Sequence, residues 1–99
     1  MMAEKYADIQ PFGKLLNEVL QKNNLQKGID RIAVKEAWEE IMGSGVMSYT
    51  RSVDFKDGVL SVQLTSSVLR EELNFGKEKI ATMLNDRLNK TLIKTVKLR

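Results

Sequence analysis

The 99-residue chain contains no cysteine, no histidine and a single proline. Without cysteine it can form neither a disulfide framework nor a thiolate metal site. Without histidine it lacks the usual general base, the usual activator of a nucleophile and the commonest metal ligand. Carboxylates, lysines and hydroxyls remain for chemistry, so the composition favours a binding protein over an enzyme. It predicts neither a cofactor nor a metal.

Sequence motifs of dinucleotide folds, phosphate loops, zinc proteases and nucleophile elbows are absent as well. The segment Gly43-Ser44-Gly45 is the nearest approach to a phosphate loop. It follows a predicted helix and leads into a predicted strand, whereas a phosphate cradle needs a helix amino terminus behind it. We interpret the segment as a helix stop, and the sequence predicts no active site.

The amino-terminal residues carry charges at Glu4, Lys5 and Asp8 and lack the apolar stretch of a secretion signal. No apolar run approaches the length of a membrane span. We therefore expect a cytoplasmic protein with a flexible segment at residues 1–10. Residues 11–99 should form a single domain, because a hydrophobic fraction of 42% can supply one core at this length.

Two amphipathic helices are predicted in the first half of the chain. The first begins at Pro11, a residue suited to a first helical turn. Its apolar residues recur at spacings of three and four: Phe12, Leu15, Leu16, Val19 and Leu20. The pattern is lost at residues 21–24. The second helix begins near Ile29 or Asp30, a candidate N-cap, and ends at Gly43. One of its faces carries Val34, Ala37, Trp38 and Ile41.

From about Tyr49 the period changes to two, which indicates two strands. Between them, Asp57-Gly58 is typical of a type I′ hairpin turn, because both central residues need a positive φ. A two-residue loop fixes the register. The predicted pairs are Lys56 with Val59, Phe55 with Leu60, Val53 with Val62 and Arg51 with Leu64.

Ser66 or Ser67 can cap a third helix that runs to about Asn89. Gly76 either splits this helix in two or marks a close backbone contact. A short strand at Val96 and Leu98 follows, so the order is ααββαβ or ααββααβ. We predict an α+β fold with a small three-stranded mixed sheet, its last strand parallel to a neighbour and helices covering one face. The other face should be polar, with Ser52, Asp54, Ser61, Gln63, Thr65 and Lys97.

The formal net charge of +3 is unevenly distributed, since residues 51–99 hold ten basic and six acidic side chains. Such a local excess of basic side chains suits a phosphate backbone or an acidic partner. The alternative is that these cations offset a helix macrodipole and protect a sheet edge. The candidate nucleic-acid-binding residues are Lys77, Lys79, Arg87, Lys90, Lys94, Lys97 and Arg99. Tyr49 is a candidate partner contact, whereas Trp38 is interpreted as a core anchor rather than a stacking platform.

A longer pattern of residues resembles the DciA family of bacterial replicative-helicase loaders. It covers the chain from about Leu15 to the carboxyl end, and its specificity comes from order and spacing. The pattern comprises Trp38, Ile41-Met42-Gly43, Val46, Tyr49-Thr50, Asp57-Gly58-Val59-Leu60, Val62, Ser66-Ser67, Glu72-Leu73, Leu84-Asn85 and Leu88.

The resemblance implies a K-homology-like domain that interacts with the replicative DNA helicase, assists its loading and binds single-stranded DNA. Many family members carry a further disordered basic tail, whereas this sequence ends at Arg99 soon after its predicted last strand. DNA binding is therefore expected to be weak. Two alternatives remain open: an RNA-binding regulator of K-homology type, and an adaptor that binds protein alone.

Overall fold

The structure is a computed structural model that describes the backbone of residues 2–99 and the side chains of Glu18 and residues 21–99. The backbone divides into two units, Met1–Asp30 and Arg31–Arg99. Within the described residues, no helix is both long enough and apolar enough to span a membrane. The elements are α1 Met2–Ser48, β1 Thr50–Lys56, β2 Val59–Leu64, α2 Ser67–Phe75, α3 Lys77–Leu88 and β3 Thr95–Leu98.

A single helix, α1, replaces the two helices predicted for the first half of the chain, and this prediction was wrong. Residues 21–24 are helical, and every side chain from 21 to 29 is exposed. An exposed helical segment needs no apolar stripe, so the loss of periodicity there did not mark a loop. Asp30 is not an N-cap but lies inside α1, where its Oδ1 accepts a hydrogen bond from Gln26 Nε2 at 2.9 Å.

The break in α1 lies at Gly43, whose φ of 76° and ψ of 178° are non-helical. A φ in this range favours glycine, because a Cβ atom would be strained there. About one further turn of helix follows, to Ser48. The predicted apolar face at residues 12–20 rests on side chains that lie outside the described residues. The flexibility predicted for residues 1–10 stays a prediction.

The hairpin turn between β1 and β2 has the predicted chemistry. Asp57 and Gly58 both have positive φ, 51° and 81°, as a type I′ turn requires. Three of the four predicted pairs are confirmed: Lys56 with Val59, Phe55 with Leu60 and Val53 with Val62. The turn therefore fixes the register over the half of the hairpin nearest to it.

The fourth predicted pair, Arg51 with Leu64, was wrong. Leu64 pairs with Thr50, because an irregularity between Thr50 and Ser52 places one extra residue in β1. Arg51 is that residue, and its side chain is exposed instead of lying on the apolar face. The bulge thus removes a charge from the buried side of the sheet.

The three strands form one mixed sheet in the order β1-β2-β3. β1 and β2 are antiparallel, and β3 is parallel to β2 after the crossover through α2 and α3. Gly76 separates these two helices, and the Ser66 hydroxyl caps α2 by accepting a hydrogen bond from Leu69 N at 3.2 Å. The α+β class with a small mixed sheet is confirmed, in the order αββααβ.

The core lies between one face of the sheet and the helices that cover it. Trp38 is fully buried, as the apolar stripe predicted, and its indole N–H has no hydrogen-bond partner among the described residues. The buried apolar side chains are Val34, Ala37, Trp38, Phe55, Leu60, Val62, Leu64, Ile80, Leu84, Ile93 and Val96. Since the helices occupy this face, the opposite face of the sheet is left uncovered by residues 31–99.

Candidate functional site

The uncovered face of the sheet, here called the open sheet face, carries polar and charged side chains from all three strands. A shallow depression of about 690 Å³ lies on it. Alternate residues of each strand contribute, as expected where successive side chains point to opposite faces. The open sheet face comprises the polar residues Ser52, Asp54, Lys56, Asp57, Ser61, Gln63, Lys97 and Arg99, together with the apolar Val59.

Strand register arranges these side chains in rows across the sheet. Asp54 pairs with Ser61, and Ser61 pairs with Lys97. In the next row Ser52 pairs with Gln63. Arg99 continues this row, because its N–H donates to Val62 O at 2.9 Å and its carbonyl accepts from Leu64 N at 2.7 Å. The two rows place their cations on β3 and on the residue that directly follows it, and their other polar groups on β1 and β2.

Lys97 and Arg99 therefore stand next to each other on the same face, about 7 Å apart along the strand. Their nearest cross-strand neighbours on that face, Ser61 and Gln63, are uncharged. The acidic Asp54 lies two strands away, about 10 Å from Lys97 in the direction of the hydrogen bonds. This cationic pair can bind anionic groups that are spaced along an extended chain, such as phosphates or carboxylates.

Arg87, another predicted cation, is already engaged by a carboxylate. Its Nη2 lies 2.7 Å from Glu40 Oε2, and its Nε donates to the same oxygen at 2.9 Å. The pKa of Arg87 is raised above its ordinary value, first by this hydrogen bond and then by the charges of Glu40 and Glu36. A phosphate would have to compete with Glu40, which makes Arg87 a poorer candidate than Lys97 or Arg99.

The remaining predicted cations lie apart from the open sheet face. Lys94 packs the carbons of its side chain over the hairpin turn, where its Cδ is 3.1 Å from the position of a Cβ at Gly58. Lys90 follows the left-handed Asn89 at the end of α3. Lys77 and Lys79 are exposed in the first turn of α3. The structure thus divides the predicted cluster, and it brings together Lys97 and Arg99.

Asn85 holds the segment that leads from α3 into β3. Its Oδ1 accepts hydrogen bonds from the N–H groups of Leu92 and Ile93, at 3.1 and 2.9 Å. Its Nδ2 donates to the Ile93 carbonyl at 2.9 Å. Three hydrogen bonds from one side chain fix the entry into β3, and therefore the position of the cations on that strand.

Replacing Asn85 with alanine is expected to lower the free energy of unfolding by about 2–3 kcal/mol, since each lost hydrogen bond contributes about 1 kcal/mol. Chemical denaturation followed by tryptophan fluorescence measures this change. Asn74→Ala is the matched control, because Asn74 is exposed and makes no side-chain hydrogen bond among the described residues. A loss equal to that of Asn74→Ala would contradict the role assigned to Asn85.

Tyr49, the predicted partner contact, lies where α1 ends and β1 begins. Its carbonyl accepts hydrogen bonds from Thr65 N at 2.8 Å and from the Thr65 hydroxyl at 3.3 Å. Its side chain is 50% exposed. Since Thr65 directly follows Leu64, which is bonded to Arg99, Tyr49 lies at the same end of the sheet as Arg99.

Sequence reasoning missed Lys56 as a member of the open sheet face. The signal was available, because Lys56 has the same parity along β1 as Ser52 and Asp54. Trp38, fully buried, cannot stack on a base. In the part of the chain that the structure describes, no group of three or more carboxylates is placed to hold a metal ion.

A model of the family described as Dna[CI] antecedent, DciA, matches residues 11–98. A UPF0232 protein of Rhodococcus jostii (strain RHA1) is 21% identical over 91 residues, which are 92% of this chain and 48% of the relative. The chain thus spans about half the length of that relative. No solved structure matches the chain, and the K-homology-like fold stays a prediction.

Proposed function

The chain belongs to the DciA family, as its residue pattern indicated, and we propose that it is a non-enzymatic accessory of bacterial DNA replication. Family membership suggests a role in DNA replication and helicase loading. In this proposal the chain contacts the replicative helicase, assists its loading and binds single-stranded DNA weakly. It works in the cytoplasm, where the bacterial chromosome is replicated.

The observation that carries the DNA-binding part is the cationic pair on the open sheet face. Lys97 in β3 and Arg99 directly after it are exposed, and the residues next to them in their rows, Ser61 and Gln63, are uncharged. Phosphates of an extended single strand can contact both side chains at once, since the two point the same way. Contacts of this kind depend on salt and carry little sequence preference.

Weak rather than tight binding follows from the small number of well-placed cations. Asp54 and Asp57 share the open sheet face and repel phosphates. Arg87 is held by Glu40. Among the described residues the one tryptophan is buried, so it adds no stacking to the electrostatic contact.

Titration of a fluorescent single-stranded oligothymidylate into the full chain tests the proposal, with anisotropy as the readout. Binding should weaken with salt, with a slope of log K against log salt of about −1.4 for two phosphate contacts. An oligouridylate of equal length is the comparison. Equal or weaker binding of the RNA supports a role at single-stranded DNA.

Two other results would replace this proposal with one of its alternatives. A clear preference for the oligouridylate would favour an RNA-binding regulator. Absence of binding to either oligonucleotide at low salt would favour an adaptor that binds protein alone, in which the cations serve solubility and protection of the sheet edge.

A further inference from the structure

The two outer edges of the sheet differ in how they are covered. At β1 the Phe55 carbonyl accepts a hydrogen bond from Arg31 Nε at 3.3 Å. Arg31, Ile32 and Lys35 of α1 line a surface together with the strand residues 53–55. Residues of α1 therefore shield the β1 edge, and at least one of its outward backbone groups has a partner.

The outer edge of β3 carries backbone groups without partners. Arg99 exchanges hydrogen bonds with β2 through both its N–H and its carbonyl, and the Thr95 N–H donates to Gly58 O at 3.2 Å. Because the residues of a strand alternate, the N–H and carbonyl groups of Val96 and Leu98 point away from β2. Outside the strand ladder, none of these four groups has a hydrogen-bond partner among the described residues.

An unpaired strand edge is a template for one more strand, and pairing through the main chain is a common way of binding extended peptides. The side chains on either side of the edge decide what fits. Lys97 and Arg99 are exposed on the open sheet face, and the exposed Thr95 has the same parity along the chain. Val96 and Leu98 point towards the core. An added strand would thus meet cations on one face and apolar side chains on the other.

We propose that the free edge of β3 adds one extended segment of a partner protein, in which acidic and apolar residues alternate. The partner's main chain pairs with the outward groups of Val96 and Leu98. Its acidic side chains lie beside Lys97 and Arg99 on the open sheet face. Four residues of β3 limit the paired length to a short segment. This goes beyond the proposed function, and it makes the peptide and DNA compete for the same two cations.

Charge complementarity favours an acidic segment over a second copy of this chain. Pairing two β3 edges would bring Lys94, Lys97 and Arg99 of one copy next to the same residues of the other, and directly opposed like charges destabilise a sheet. A nucleic acid could contact Lys97 and Arg99, but phosphate oxygens cannot donate to the carbonyls of Val96 and Leu98. A peptide main chain supplies both donors and acceptors.

The first test uses backbone amide hydrogen exchange of the full chain, followed by NMR, with an acetylated hexapeptide of alternating glutamate and valine as the probe. Saturation with this peptide should slow exchange at Val96 and Leu98 by at least about 10-fold, because both amides become hydrogen-bonded. The Arg99 amide, already bonded to β2, serves as the internal reference. The same peptide with lysine in place of glutamate should have no effect.

The second test separates main-chain pairing from charge attraction. Leu98→Pro removes an outward N–H without removing a bond to β2, and Leu98→Ala is the control for the lost side chain. Leu98→Pro should weaken binding of the glutamate–valine peptide about 10-fold more than Leu98→Ala does. Binding of oligothymidylate to the two variants should be equal, so failure of this inference is distinguishable from failure of the DNA-binding proposal.

Three results would overturn the inference. The first is that saturation with the glutamate–valine peptide leaves amide exchange at Val96 and Leu98 of the wild-type chain unchanged, while a hexaglutamate binds as tightly as that peptide. The second is protection of these amides by the chain itself as its concentration rises, which would indicate a second copy. The third is protection by oligothymidylate but not by the peptide, which would assign the edge to nucleic acid.

Discussion

Replacing Trp38 with alanine is expected to lower the free energy of unfolding by about 3–5 kcal/mol, as is typical for truncation of a large buried aromatic side chain. Trp38 is fully buried at the centre of the core, between the sheet and the helices. A loss of this size approaches the whole stability of many small domains. The variant should therefore be largely unfolded when circular dichroism is followed through a thermal or urea transition.

Trp38→Phe is the matched variant, and it should lose less than half as much stability. Phenylalanine keeps an aromatic ring in the core, and it removes an indole N–H that has no partner in the described part of the chain. An unpaired buried donor costs about 1–3 kcal/mol, so its removal offsets part of the lost packing. Equal losses in the two variants would contradict this view of the core.

Reversing the charge of both Lys97 and Arg99 to glutamate should weaken binding of single-stranded DNA at least about 10-fold at low salt. The slope of log K against log salt should fall in magnitude by about 1.4, the value for two lost contacts with a single strand. Fluorescence anisotropy over a series of salt concentrations measures both quantities. The two side chains are exposed, so stability should change little.

The control for this prediction is Lys22→Glu with Lys27→Glu, which changes the net charge equally at two exposed positions of α1. If binding depends on the open sheet face, this control should keep most of its affinity and its salt slope. An equal loss in the two double variants would show that net charge alone attracts the DNA, and the site assigned to Lys97 and Arg99 would be wrong.

The hairpin shows what could be predicted from the sequence. Asp57-Gly58 fixed the turn, and the turn fixed three strand pairs. The bulge near Thr50 was missed, because arginine, the residue at position 51, is not a residue type that marks an extra position in a strand. Local chemistry thus predicted the turn and the nearest pairs, but not where the register shifts further away.

The first helix shows the opposite case. Residues 21–24 lack the apolar pattern, which predicts the end of the first helix there, yet these exposed residues continue α1. Periodicity reports the contact of a helix with a core, and it carries no signal where the helix is exposed on all sides. The apolar stripe of Val34, Ala37 and Trp38 was predicted correctly because these residues do pack in the core.

The candidate site was predicted in composition but not in arrangement. Alternation along β3 was enough to place Lys97 and Arg99 on one face, and the same parity rule could have added Lys56. The contact of Arg87 with Glu40 joins residues that are 47 positions apart. No local pattern predicts such a contact, because it depends on how α3 packs against α1.

Direct binding between the purified chain and the replicative helicase of the same bacterium tests the central proposal most directly. Nuclease-treated samples of both proteins are mixed and analysed by size-exclusion chromatography with light scattering. The proposal predicts a complex that forms without nucleic acid and assists helicase loading on single-stranded DNA. If the two proteins elute separately, or associate only when DNA is added, the proposed contact with the helicase is contradicted.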